Sequence, residues 1–387
     1  MSLRRLTGLN EIEINENDRK WIESVWEKLD RKLSVTAVKS FDKIPYSAKD
    51  GVHDNRMELD PAWWTNGFWP ALMILMYDAT GREQYLKTAH NAMNMLDAAF
   101  SEYDALNHDM GFMWDISAGY DYRLTGNKKE RNRFLFAASL LMSRFNNNGR
   151  FIRAWNGSEH KGWAIIDCMM NLPLLYRASE ELDDDRFKMV AVAHADTTMK
   201  YHVRDDGSCN HINEYDCVTG EFLTNHTGQG FGGYKYSSWS RGQAWGLYGF
   251  VLSYIFTKNE AYLSTAKRIA HYFISNASLS QWLPLSDFRA PKEPVIYDST
   301  AGACAACGLL EIAKNVDEHE SELYVRAALN ILKAMEKRFC VWDDNTDYIL
   351  GSGAEAYGFG YDKPIIYGDY FFAEAIYKLK GFNNLAW

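Results

Sequence analysis

The chain has no basic excess, no long apolar run and no dense cysteine framework, and each absence removes a class of function. Its 42 Lys and Arg against 51 Asp and Glu leave a formal net charge of -9. That argues against a nucleic-acid-binding surface, which needs a concentrated basic patch. It does not forbid an anionic small ligand, because one buried Arg is enough to pair with a carboxylate. No apolar stretch approaches membrane-spanning length, and no apolar segment of the kind found in secretory signals follows Met1–Arg5. The six cysteines (168, 209, 217, 304, 307 and 340) are scattered through 387 residues instead of forming a compact disulfide scaffold. Together these features predict a protein of the reducing cytoplasm, with no membrane and no nucleic-acid partner.

Aromatic residues are plentiful. Thirteen Trp, 23 Tyr and 20 Phe make up 14% of the chain. Flat ring faces suit sugars, whose C–H faces are apolar and whose rims are polar, although a generously aromatic core would give the same count.

Hydrophobic periodicity predicts about twelve helices of two alternating kinds. The first kind is amphipathic, with members beginning near Asp18, Arg82, Asn127, Asp184, Asn259 and Ser321. Asn259 and Asp184 are good helix starts. The second kind is apolar around most of its circumference and covers 62–77, 111–124, 162–176, 238–252, 299–312 and 367–379. A helix that is apolar all round has to be buried. Strict alternation, six times over, predicts an all-α (α/α)6 toroid in one domain, 1–387, with the inner helices surrounding a central cavity. A linear solenoid is the alternative, but it needs polar caps and more regular spacing. The long connections 203–237 and 279–298 point to a functional rim, and 208–224 alternates like a short β-hairpin.

Against this background Asp167 is the sharpest anomaly, a carboxylate inside the apolar stretch Trp163–Asn171. Burial raises a carboxyl pKa and equips it to donate a proton near neutrality; the alternative is a structural Asp satisfied by a neighbouring helix. Asn171, four residues on, shares its helical face. Asp109, just before the second inner helix, is either the partner carboxylate of an acid/base pair or a helix N-cap. Arg241 and Trp245, four apart, would set a guanidinium beside an indole plane, suited to a sugar carboxylate and ring or to an internal cation–π contact. Ser240 and Gln243 fit a capping box. Trp64 and Phe68 form a matching aromatic pair, for which core packing is the plainer role.

Three other motifs fail their context. Gly228, Gly230 and Gly233 spell a dinucleotide fingerprint without a βαβ unit. Cys304 and Cys307 sit on an apolar stretch and read as core. Asp343, Asn345 and Asp347 open like a calcium loop, but Tyr348 and Ala354 stand where Gly and Glu are required. No zinc spacing appears.

Five segments then carry a resemblance: HDMGF, GWAIIDCMMN, SSWSRGQAWGLYG, DSTAGACAACGLLE and YGDYFF, in that order from about Asp60 to Ala375. Together they resemble glycoside hydrolase family 88, the unsaturated glucuronyl hydrolases. The resemblance implies an (α/α)6 barrel acting, without metal or organic cofactor, on short oligosaccharides that end in a 4-deoxy-4,5-unsaturated uronic acid. It implies that the C4=C5 vinyl ether is hydrated rather than the anomeric carbon attacked. By position, Asp167 matches the family's acid/base residue and Asp109 its second essential carboxylate. Trp64, His211, Gln229, Arg241 and Trp245 match substrate-binding positions, as do His108, Phe68 and Thr227 on a looser alignment. The unsaturated rhamnogalacturonyl hydrolases are the nearest alternative, but they usually carry Asn where this chain has Gln243. A conventional inverting glycosidase, an epimerase and a non-catalytic sugar binder are the further rivals. A monomer or homodimer is expected.

Overall fold

The computed structural model describes residues 14–232 and 237–387. The segment Met1–Arg5 and Gly233 of the rejected glycine motif lie outside them. Outer helices Glu16–Lys39, Glu83–Leu96, Lys128–Ser143, Asp185–Tyr201, Glu260–Leu279 and Glu318–Phe339 alternate with six inner segments. The inner segments are Phe68–Thr80, Gly111–Gly119 continuing as Tyr120–Thr125, Leu172–Leu182, Ser240–Thr257, Ser299–Lys314 and Ile366–Leu379. Each inner segment packs against the next and the last against the first. The ring is therefore closed, and the solenoid alternative falls.

Local chemistry sets the helix ends. Asn15, Asn127, Asp184, Asn259, Asp298 and Asp317 each accept a hydrogen bond from a backbone N–H of the following first turn, the ordinary N-cap role. Burial separates the two layers: Ser299 through Ala313 are all buried, whereas the outer helix Glu83–Leu96 buries one stripe. Trp387 fills the middle of the ring, stacked on Phe371 with centroids 5.9 Å apart.

Several local expectations need correction. The stretch 162–176 is not one helix. Trp163–Ile165 is a strand, Ile166–Met170 a 3-10 turn, and the helix starts only at Leu172. A short apolar run of a buried strand cannot be told from a buried helix by periodicity. The strand joins the expected hairpin, found as Ile212–Tyr215 and Phe222–His226, in a three-stranded antiparallel sheet. Trp64 lies in a turn ahead of the first inner helix, not within it. Gly111–Gly119 is a π-helix, wider than the regular turn that periodicity assumes. The capping box is absent: Ser240 Oγ donates to Ser286 O, and Gln243 clasps the backbone N–H and C=O of Cys209. The rejected calcium loop closes on an ammonium instead, since Lys32 Nζ donates to the carbonyls of Asp343 and Thr346.

Inner segments approach closely where glycine permits. A Cβ on Gly249 would lie 2.4 Å from Met169 Cβ and 2.8 Å from the Met169 carbonyl carbon, in the turn that follows Asp167. Gly249→Ala is expected to destabilise the protein by about 1–3 kcal/mol through overpacking. A thermal melt measures this, and an unchanged Tm would show that the contact is slack.

Candidate active site

Asp167 sits where the strand Trp163–Ile165 turns into the 3-10 helix, at the open end of the inner ring. Pairing of Ile165 with Ile212 continues as a bond from Ile166 N–H to His211 O at 3.0 Å, which brings His211 beside Asp167. The His211 Nε2 atom lies 3.9 Å from Asp167 Oδ1. On its other side, His211 Nδ1 faces Thr227 O at 2.7 Å and the Gln229 N–H at 3.2 Å; the shorter contact favours a ring proton on Nδ1, which leaves a lone pair on Nε2. Burial pushes this imidazole down to about 3, so it is neutral. Asp167 Oδ1, His211 Nε2 and Gln229 Oε1 are buried polar atoms with no partner among the described residues, a combination that marks a site built for something else to bind.

Asp109 reaches the same place from a different inner segment. Its side chain does not cap the helix that follows. Instead Asn171 Nδ2 donates to Asp109 Oδ1 at 3.4 Å and to the Asp167 carbonyl at 3.3 Å, while Asn171 Oδ1 accepts from Phe112 N–H at 2.9 Å. One amide thus ties the two carboxylate segments together. Gly111 makes this possible, because a Cβ there would stand 2.6 Å from Asn171 Cα. His108 Nε2 is 3.6 Å from Asp109 Oδ1, and burial, with the nearby Arg144 charge, drives this imidazole well below its usual range.

Burial favours the protonated form of both carboxyl groups. Burial, then the negative charge of Asp167, pushes Asp109 well above the usual carboxylate range. Burial raises Asp167 to about 7 against the pull of Arg241. Arg241 is itself buried, with Nη1 donating to Asp298 at 2.9 Å and to Ala354 O, and Nη2 to Glu355 O at 2.7 Å. Its guanidinium lies over the rings of Trp239 and Tyr367, not Trp245.

Beside the carboxylates opens a cavity of about 820 Å³ whose wall includes Tyr46, Trp63, Trp64, Gln229, Arg241, Glu355 and Tyr367. Of the residues singled out from sequence, Trp64, Gln229 and Arg241 line this cavity, while the buried Asp109, His108 and His211 and the half-buried Asp167 cluster next to it. Thr227 enters through its backbone carbonyl. Phe68 and Trp245 have no exposed surface; they pack with Phe112 and Phe371 behind the wall. Asp298, Tyr367 and Glu355 were not singled out from sequence. Asp298 carried a signal as the residue ahead of Ser-Thr at a helix start, whereas Glu355 sits in an irregular loop and carried none. Among the described residues no cluster of three or more His, Cys, Asp or Glu is placed to hold a metal ion.

A helical toroid with two proton-bearing carboxyl groups beside an aromatic, guanidinium-bearing cavity is the arrangement of a carbohydrate-active hydrolase. The chain matches the profile of Glycosyl Hydrolase Family 88 over residues 36–281. It is 36% identical to the unsaturated glucuronyl hydrolase of Bacillus sp. (strain GL1) over 365 residues, covering 90% of this chain and 94% of that one. The crystal structure of the Bacillus sp. GL1 enzyme superposes with a TM-score of 0.85 at 33% identity, covering 92% of this chain and 98% of that one. A Streptococcus agalactiae unsaturated glucuronyl hydrolase complexed with dGlcA-GalNAc6S superposes with a TM-score of 0.80 at 26% identity, covering 97% and 98%. The chain belongs to glycoside hydrolase family 88, and it is a glycoside hydrolase.

Removing the Arg241 charge releases the larger of the two pulls that lower the Asp167 carboxyl, the other being a backbone hydrogen bond. In Arg241→Gln, carbon-13 NMR is expected to find Asp167 titrating above the value near 7 of the parent protein. A downward move would contradict the geometry.

Proposed function

We propose that this chain removes the 4-deoxy-4,5-unsaturated uronic acid from the non-reducing end of short, lyase-generated oligosaccharides, glycosaminoglycan-type disaccharides among them. The observation that carries this reading is a half-buried carboxyl at Asp167 raised to about 7, with Oδ1 unpartnered among the described residues, next to His211 and under the charge of Arg241 in the cavity wall. The names of the relatives support the substrate class.

Protonated Asp167 donates its proton to C4 of the vinyl ether, forming the C4–H bond and leaving an oxocarbenium ion at C5. Water adds to C5 and returns a proton to the Asp167 carboxylate, so the group ends as it began. The hemiketal opens by breaking C5–O5, and the hemiacetal left at C1 expels the remaining sugar and leaves an α-keto acid. Asp109, kept protonated by burial and by Asp167, holds a substrate hydroxyl through a hydrogen bond, and Asn171 keeps the two groups in register. Neutral His211 offers Nε2 as an acceptor to the water or to Asp167. His108 orients Asp109, and Trp64, Gln229 and Arg241 meet the sugar and its carboxylate. Phe68 and Trp245 stiffen that wall from behind. The protein acts as a single domain, monomeric or homodimeric, without a cofactor, and its six unpaired cysteines suit the reducing cytoplasm.

The test is loss of the ultraviolet absorption of the C4=C5 bond when purified protein meets lyase-generated disaccharides. Asp167→Asn and Asp109→Asn are each expected to lose about 10²–10⁴-fold in kcat. Activity requires the acid form of Asp167, present below its raised pKa, so the rate should fall as pH rises through about 7. Equal cleavage of a saturated glucuronide would overturn the hydration route.

A further inference from the structure

A second concavity, of about 430 Å³, is lined in part by Met110, the residue that follows Asp109. Leu106 and Met110 give it an apolar floor, Tyr103 stands at its edge with 71% of its surface exposed, and Arg144, Arg153 and Asn156 contribute polar groups. Two of these polar groups are arginine guanidinium groups. Neither is ion-paired to a carboxylate among the described residues. Arg144 donates to the carbonyls of Arg153, Ala154 and Leu106, at 2.9, 2.9 and 3.3 Å. Arg153 donates to the carbonyls of Trp155 and Gly157, at 2.9 and 2.6 Å. Backbone dipoles fix where these guanidinium groups point without cancelling their charge. Asp104 also borders the concavity, on its solvent-exposed side.

The electrostatics agree with that geometry. Burial, and then the charge of Arg153, pushes Arg144 down to about 10, with Asp109 pulling the other way. Two like charges held together in a half-buried concavity are stabilised by an anion placed between them. An apolar floor with an exposed ring at its edge favours a sugar over a bare ion.

We propose that this concavity is a second saccharide site, which takes the carboxylate or sulfate of an acidic sugar on Arg144 and Arg153 and its ring on Tyr103. The site is separate from the catalytic cavity. It does not depend on the reaction assigned above, because it can be read with a sugar that has no glycosidic bond to cleave.

The experiment is calorimetric titration of the folded protein at low ionic strength with glucuronate, glucose and inorganic sulfate. Arg153→Gln and Tyr103→Ala are each expected to weaken glucuronate binding about tenfold, as loss of a charge-assisted bond or a stacking face should. Arg241→Gln, in the catalytic cavity, should leave this binding component intact. Glucose should not bind, and sulfate binding should survive Tyr103→Ala but not Arg153→Gln. Circular dichroism confirms that each variant is folded. Glucuronate binding unchanged in both Arg153→Gln and Tyr103→Ala, or abolished by Arg241→Gln alone, would overturn the proposal. Binding of sulfate without glucuronate would also overturn it, by showing a site for a free ion.

Discussion

Two carboxyl groups, Asp109 buried and Asp167 half-buried, close enough for one to feel the other's charge, are the constraint around which the open end of this toroid is arranged. Ionising either costs desolvation, and ionising both adds repulsion, so the pair keeps protons that exposed aspartates would lose. Everything nearby serves that state. His211 and His108 are neutral through burial and bring no compensating charge. Arg241 tempers Asp167 most, with a backbone hydrogen bond adding to it, and the guanidinium is tethered by Asp298 and two backbone carbonyls. Asn171 joins the two segments with a single amide.

The opposite treatment of polar groups deeper in the ring makes the contrast plain. There Lys378 bridges Glu311 at 2.5 Å and Glu374 at 3.1 Å, and Glu374 also accepts from Tyr248 and from the indole of Trp387. That network is saturated, and it pins the aromatic plug in the centre of the barrel. Buried polar groups of this kind are tolerable when fully paired. At the mouth, Asp167, His211 and Gln229 retain unpartnered atoms. The same ring thus holds a fully paired network around Lys378 and, at its mouth, a carboxyl, an imidazole and an amide that keep unpartnered atoms among the described residues.

Much of this was legible in the chain itself. The alternation of amphipathic and all-round apolar segments required a two-layer ring, and the caps at Asp184 and Asn259 began helices where their side chains said they would. Asp167 stood out as a charge in apolar surroundings, and that anomaly survived even though its helix proved to be a strand and a 3-10 turn. Asp109 was ambiguous because an aspartate before a helix has the same letter whether it caps or reacts. Arg241 and Trp245 share a helix at i and i+4, yet only the packing of Trp239 and Tyr367 decided which rings the guanidinium meets. Glu355 was invisible, since nothing in an irregular loop announces that it will fold over a cavity.

By itself, then, the sequence determined the layers, their order and the odd carboxylate, because those follow from periodicity and from the cost of burying charge, and both are local. Only the tertiary structure decided what the carboxylates meet. Asn171, His211 and Arg241 come from separate parts of the chain, and hydrogen-bond reach is a property of how ring segments close on one another. The pKa of Asp167 belongs to that closure: burial by neighbours that are distant in sequence raises it to about 7, and a guanidinium 74 residues further along the chain keeps it from going higher.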